Sequence, residues 1–303
     1  MQSSTAGAPA CAMLVDRAVL EVAGKDRRAF LQGLVSNDVN KVGRDRAVHA
    51  ALLTAQGKYL HDFFIVELGD ALFLDVEASR VAELKRRLLL YRLRASVDIT
   101  DASERFVVCV LFGERALSAL ELPPDPGAAT AIDSGIAYVD PRLAALGARF
   151  LLPHAAASAL AMMDCNESDA AAYDRLRLSL GIADGSRDLV VDKAILLEAG
   201  FDELNGIDWQ KGCYVGQELT ARTKYRGLVK KRLMPVAIHG PLPAPGAPIM
   251  LGAREVGEMR SGRDGIGLAL LRLDAVDECL AKGEPLTTGD ARLVPHKPEW
   301  VNF

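Results

Sequence analysis

The sequence has no apolar run approaching the roughly 20 residues that a membrane-spanning helix requires, and its first residues lack the basic flank and apolar core of a secretory signal. A cytoplasmic location, without a membrane partner, is the expectation. Charge of one sign is also missing in bulk, since 36 Lys and Arg against 40 Asp and Glu leave a formal net charge of -4. No global field draws the chain to nucleic acid or anionic lipid, so any polyanion site must be local. Cysteine is sparse and scattered: Cys11, Cys109, Cys165, Cys213 and Cys279 are odd in number and form neither a C-x-x-C pair nor a tight Cys/His ligand spacing. Neither a disulfide framework nor a self-contained zinc site is indicated. A metal centre shared with a second molecule remains open, because one chain would then contribute only a single thiolate.

What is there is a globular composition, 50% hydrophobic and 25% charged, in a chain of 303 residues, which favours one composite domain or two unequal ones. Residues 1–10 read as a disordered tail. Strands are expected at 18–22, 47–54 and 59–66, the last two joined through Gly57, with a helix after Asp26 that carries Phe30, Leu31 and Leu34. A strand at 71–76 precedes a helix at 77–91, where Val81, Leu84, Leu88 and Tyr91 repeat at helical spacing. Strands at 97–100 and 106–112, a short helix at 114–120, strands at 132–139 and 148–152 and helices at 155–163 and 168–180 repeat the same order, with Ser168 as N-cap of the last. Beyond 225, Pro241, Pro243, Pro245 and Pro248 interrupt short glycine-punctuated β segments. The expected class is α+β: a body over 11–225 of two related halves with mixed and antiparallel sheets, and a C-terminal β-barrel over 226–303.

The segment Lys211-Gly212-Cys213-Tyr214-Val215-Gly216-Gln217-Glu218 concentrates the chemistry. Two glycines let the backbone turn sharply and present the thiol from a loop. Lys211 and a helix opening at Gly216 would both favour the thiolate, so the expected pKa shift is downward. Such a sulfur suits a nucleophile, a redox sensor or a soft-metal ligand, and local chemistry does not choose among them. The other four cysteines read as small apolar core residues.

The longer stretch from Gly206 to Glu218, followed by Arg222 and Arg226-Gly227, resembles the signature of YgfZ-type folate-binding proteins. The blocks Phe30-Leu31-Gln32-Gly33-Leu34-Val35-Ser36-Asn37-Asp38-Val39 and Leu53-Thr54-Ala55-Gln56-Gly57-Lys58-Tyr59-Leu60-His61-Asp62 are similar to the same family, as is Tyr91-Arg92-Leu93-Arg94. That family is similar in fold to the T protein of the glycine-cleavage system, an aminomethyltransferase that uses tetrahydrofolate. The resemblance implies an aminomethyltransferase-like body and a role in assembling or repairing iron–sulfur clusters in client enzymes. It implies Cys213 as the acting thiol, as a transient cluster ligand with no stably bound metal, with Lys211 and Asp62 beside it in the catalytic set. It also implies bound tetrahydrofolate, possibly polyglutamylated, with Asp62, Arg177, Glu198, Tyr214, Gln217 and Glu218 as its contacts. His61 stands where the T protein commonly has an acidic residue, so the resemblance does not carry over full aminomethyl-transfer chemistry.

Read from the residues, Asp62 shares one face of its strand with Leu60, Phe64 and Val66, so its carboxylate needs a partner. Asn37 and Asp38 read as capping or turn residues. Arg177, taken by itself, reads equally as a solvated helix arginine. Six basic residues between Arg222 and Arg232, with Tyr225 among them and no acid, can serve a polyglutamyl tail, an acidic partner surface or RNA. Three functions follow: a tetrahydrofolate-binding accessory of iron–sulfur clients or assembly proteins, a folate-dependent one-carbon transferase or demethylase, and an RNA-associated factor. Whether the chain is an enzyme stays open.

Overall fold

The apolar runs of the first half form two sheets. A computed structural model describes residues 7–132, 135–156 and 165–302. It divides into two units, one of Met1–Leu53, His61–Tyr173 and Leu204–Val215, the other of Thr54–Leu60, Asp174–Glu203 and Gly216–Phe303. In the first unit a five-stranded sheet runs in the order Val48–Leu53, Tyr59–Leu68, Ala71–Glu77, Arg17–Ala23, Asp98–Asp101. The strand Arg17–Ala23 sits between two antiparallel partners, Leu20 opposing Leu74 on one side and Asp101 on the other. A six-stranded sheet follows the order Asn166–Glu167, Ala10–Met13, Phe106–Phe112, Ala148–Pro153, Gly135–Val139, Ala129–Ile132.

Several elements depart from the sequence reading. Ala10 is not tail but the first residue of a strand, because Ala10 to Met13 pair along Phe112 to Cys109. The expected strand at 132–139 is a hairpin of Ala129–Ile132 and Gly135–Val139. The short helix before Pro123 contracts to a 3-10 turn at Ser118–Leu120, closed by Glu121 in a left-handed conformation at φ 53°. The helix expected at 77–91 starts as a 3-10 turn, Ala78–Arg80, and continues as Val81–Arg92 with Leu84 and Leu88 buried. Tyr91 is exposed, so the buried stripe is narrower than the spacing suggested. Asp26 precedes its helix but makes no side-chain cap; its carboxylate accepts the Ser96 N–H instead. Asp169, not Ser168, caps the helix Ala170–Ser179 by accepting the Ala172 N–H at 2.8 Å. Most of the helix expected at 155–163 lies outside the described residues.

A charged network is buried in the first unit. The Asp75 carboxylate, 2% exposed, accepts Arg17 Nε–H and Arg149 Nη2–H, each at 2.6 Å, and the Tyr138 hydroxyl donates to it at 3.3 Å. The guanidiniums of Arg149, Arg142 and Arg17 lie over the Phe64 ring at 4.2, 4.9 and 5.7 Å from its centroid. Burial by itself would raise the Asp75 carboxyl, but the Arg149 and Arg17 charges outweigh it and hold the pKa below the ordinary value.

In the second unit, six strands between Lys231 and Pro295 close into a barrel. Met234, Val236, Ile249, Met259, Leu271 and Leu293 fill its interior. The helix Leu273–Lys282 adds Ala275, Val276 and Cys279 to the same cluster.

Candidate functional site

Asp208 organises the start of the cysteine loop. Its Oδ1 accepts the N–H groups of Gln210 at 2.7 Å and Lys211 at 3.1 Å, and Lys41 closes on Oδ2 at 2.6 Å. A short polar side chain bonding to the backbone two and three residues ahead tightens the chain into a turn. Lys211 then points inward. Its ammonium donates to the carbonyls of Val35 at 2.6 Å, Asn37 at 2.7 Å and Gln32 at 2.9 Å, and lies 5.2 Å from the centroid of the buried Tyr214 ring. Burial lowers its pKa to about 8, which leaves it charged at neutral pH and able to hold all three carbonyls. The structure therefore gives Lys211 a different place from the free cation expected beside the sulfur: its donors are spent in anchoring the loop.

Gly212 and Cys213 are left outside. Both are exposed, and Cys213 is the one exposed cysteine among the five. Gly212 is not demanded by crowding, because a Cβ there would meet nothing within 4 Å. Gly216 is demanded by conformation: it takes φ 84° as N-cap of the helix Gln217–Tyr225, in the region that costs an L side chain about 1–2 kcal/mol. Anchors at 208, 211 and 214 thus present the thiol at 213.

The cradle comes from an early block of sequence. Ser36 Oγ donates to the Gly206 carbonyl at 2.6 Å and accepts the Ala51 N–H at 2.8 Å. Asn37 is buried, and its amide donates to the His49 and Asn205 carbonyls, each at 2.7 Å. Asp38 caps the 3-10 turn Val39–Lys41 through the Asn40 N–H, as expected. The first block and the cysteine loop, some 170 positions apart in sequence, are thus one structural piece. A cavity of about 560 Å³ opens beside them, lined by Asn37, Lys41, His49, Asn205, Asp208 and Trp209 among others.

Asp62 has its partner in the same unit: His49 Nε2 lies 3.0 Å from Asp62 Oδ2. Burial lowers the His49 pKa, so the imidazole is neutral and its Nε2–H donates to the carboxylate. The sequence reading missed His49, whose only signal was a polar residue inside an apolar β run. His61 is also buried; burial pushes its pKa down to about 4, and Glu83 lies 3.8 Å from its Nε2.

Arg177 is buried rather than solvated, and it does not fit a ligand contact. Its guanidinium donates to Asp174 and Asp188 at 2.7 Å, to Ser261 Oγ at 2.9 Å and to the Ile182 carbonyl at 3.0 Å. With those bonds made, the planar fork has almost no donor left. Glu198, in contrast, lines a cavity of about 290 Å³ within the second unit, together with Val190, Ile195, Leu233, Arg260 and Leu270. Burial raises its carboxyl above the usual range. Glu218 is exposed and held by Arg222 at 2.8 Å, Gln217 is half-buried, and Tyr214 lies under the Lys211 ammonium. The basic stretch is partly neutralised, since Arg222 pairs with Glu218, Lys224 with Asp202 and Arg232 with Glu203. Among the described residues no group of three or more His, Cys, Asp or Glu side chains is placed to hold a metal ion.

Fold and site together define a GCVT-like body carrying a CAF17-type barrel. Residues 16–124 match the GCVT N-terminal domain, and residues 230–303 match the CAF17, C-terminal beta-barrel domain. The glycine cleavage system aminomethyltransferase T from Bartonella henselae is similar in fold, with a TM-score of 0.76 at 16% identity over 97% of this chain and 87% of that one. In sequence, the chain is 36% identical to the mitochondrial iron-sulfur cluster assembly factor IBA57 of Homo sapiens, over 88% of this chain and 79% of the relative. It is 31% identical to the Mus musculus protein of the same name, over 88% and 78%, and 32% identical to the Pyricularia oryzae homologue, over 90% and 74%. The chain belongs to the IBA57 family of iron–sulfur cluster assembly factors, a narrower placement than the YgfZ-type resemblance. These relatives are mitochondrial by name, which overturns the cytoplasmic location expected from the sequence.

Proposed function

We propose that the chain serves iron–sulfur cluster assembly by offering Cys213 as one thiolate ligand to a cluster completed by a partner. The supporting observation is the contrast within one loop, where Asp208, Lys211 and Tyr214 are locked in and the Cys213 thiol is turned out. A [2Fe–2S] cluster takes four protein ligands, so one exposed thiol cannot hold it alone. Cargo of this kind is received and passed on at a shared site. Anaerobic incubation of the isolated chain with ferrous iron and sulfide is expected to give no stable cluster absorbance. Adding an assembly protein that brings the remaining thiols should give it. A stable cluster on the monomeric chain would refute the shared-ligand reading.

The same chain is proposed to bind tetrahydrofolate at Glu198. A half-buried carboxylate lining a cavity of mixed apolar and charged walls can accept donors from a ligand, and the adjacent N–H groups of a pterin supply two. Glu198 would orient the ring, while Leu233 and Leu270 would pack its faces. When bound, the folate would supply one-carbon carrier chemistry. Glu198→Gln replaces one acceptor by a donor and is expected to weaken binding of tetrahydrofolate about tenfold or more, measured by fluorescence titration. The accepting form is the carboxylate, and burial raises the Glu198 pKa. Affinity in the wild type is therefore expected to fall as pH drops through that raised value. The Gln variant should lose this pH dependence, and an unchanged profile would remove Glu198 from the site.

A further inference from the structure

The cysteines at 11, 109 and 165 were expected to be inert core residues, and the structure brings them together. Cys11, on the strand Ala10–Met13, and Cys109, on Phe106–Phe112, share one apolar cluster against which Cys165 packs. Cys165 immediately precedes the strand Asn166–Glu167, which runs parallel to Ala10–Met13 with Ala10 opposite Asn166 and Cys11 opposite Glu167. Cys165 thus stands two register positions from Cys11, and the two side chains close that offset. The Cys165 thiol donates to Cys11 Sγ at 2.6 Å, across 154 positions. Cys11 is buried and Cys165 is partly open to solvent. Cys109 is the bystander: burial and the neighbouring Cys11 push its thiol up to about 11, so it stays protonated.

We propose that Cys11 and Cys165 form a peroxide-responsive dithiol site, closing to a reversible disulfide that is chemically separate from Cys213. Cys165, the member that solvent reaches, meets the oxidant first. Its thiolate attacks hydrogen peroxide, the O–O bond breaks, and Cys165 becomes a sulfenic acid with release of hydroxide. Cys11 then attacks that sulfur, the S–O bond breaks, and the hydroxyl leaves with the Cys11 proton as water. Two thiols are oxidised and one peroxide is reduced to two waters. Disulfide closure needs the two sulfurs within bonding reach, and the 2.6 Å contact leaves only a short approach between them. A dithiol reduces the disulfide again by exchange.

The test uses the full chain carrying Cys213→Ser, so that the exposed thiol does not report. Hydrogen peroxide followed by unfolding in guanidinium and maleimide labelling is expected to lower the free-thiol count by two, from four to two. Non-reducing peptide mapping should show Cys11 linked to Cys165, lighter by two hydrogens than the separate peptides, with dithiothreitol restoring both thiols. In Cys11→Ser the reaction should stop at a sulfenic acid on Cys165, trapped by dimedone. Four thiols surviving peroxide, a link through Cys109, or no dimedone adduct on Cys165 in the Cys11→Ser variant would each overturn the proposal. Cluster assembly at Cys213 is not read by any of these measurements, so the two proposals stand or fall separately.

Discussion

Cys213→Ser is expected to lower the activity of client iron–sulfur enzymes by roughly tenfold or more in cells relying on the variant, with little change in folding. The two halves of this expectation come from the same geometry. The side chain at 213 is exposed, while the loop is held by Asp208, by the three carbonyl bonds of Lys211 and by burial of Tyr214. Removing an exposed sulfur disturbs none of those contacts, and such surface changes usually stay within about 0.5 kcal/mol. Serine is nearly isosteric but replaces a soft thiolate with a hard, protonated hydroxyl that soft iron–sulfur centres accept poorly. Client activity, cluster content and thermal unfolding should be measured on the same variant. Full client activity with normal expression would end the case for the thiol, and a large loss of stability would show that the loop depends on the sulfur itself.

Asp75→Asn is expected to destabilise the first unit by about 3–5 kcal/mol, the usual consequence of leaving a buried charge without its partner. Arg17 and Arg149 both donate to this carboxylate, and each guanidinium side chain is itself largely buried. An amide offers one accepting oxygen and turns its NH₂ toward groups that only donate. The dependence on pH has a definite sign. Because the folded pKa of Asp75 lies below the ordinary value of 3.8, the wild type holds this stabilisation above that value and loses it as pH falls through the folded pKa. The variant lacks it at every pH. The gap between wild type and variant should therefore be full at pH 7 and shrink in acid below about pH 4, as read by urea unfolding across the acid limb. A gap under about 1 kcal/mol at neutral pH would mean that water or a rearranged arginine replaces the carboxylate.

Much of the architecture was legible because its signals are local. Continuous apolar runs marked 47–54, 59–66 and 106–112 as strands, and the structure has them at Val48–Leu53, Tyr59–Leu68 and Phe106–Phe112. Gly57, at φ 69°, sits at the connection where a glycine was wanted. The proline-punctuated tail closed into the expected barrel. What misled was chemistry that depends on a distant partner. Arg177 read as either a folate contact or a solvated helix arginine, yet Asp174, Asp188 and Ser261 converge on it. Ala10 looked like tail because nothing in its neighbourhood shows the strand Phe106–Phe112 waiting to pair with it. Lys211 looked like an activating cation because it stands two residues from Cys213 in sequence, whereas three backbone carbonyls 174 to 179 positions away draw it inward.

By itself, the sequence determined that a single cysteine in a glycine-flanked motif sets this chain apart, and that an α+β body precedes a β-barrel. Residue order suffices for that, because strand periodicity, turn glycines and motif length are properties of neighbouring residues. Only the tertiary structure decided that Lys211 anchors instead of activating, that His49 holds Asp62, that Glu198 lines a cavity while Arg177 is bonded to Asp174, Asp188 and Ser261, and that Cys165 meets Cys11. Hydrogen bonds, burial and thiol contact act over a few ångströms between residues that the chain keeps tens to hundreds of positions apart. Their outcome exists only once the sheets have set the register.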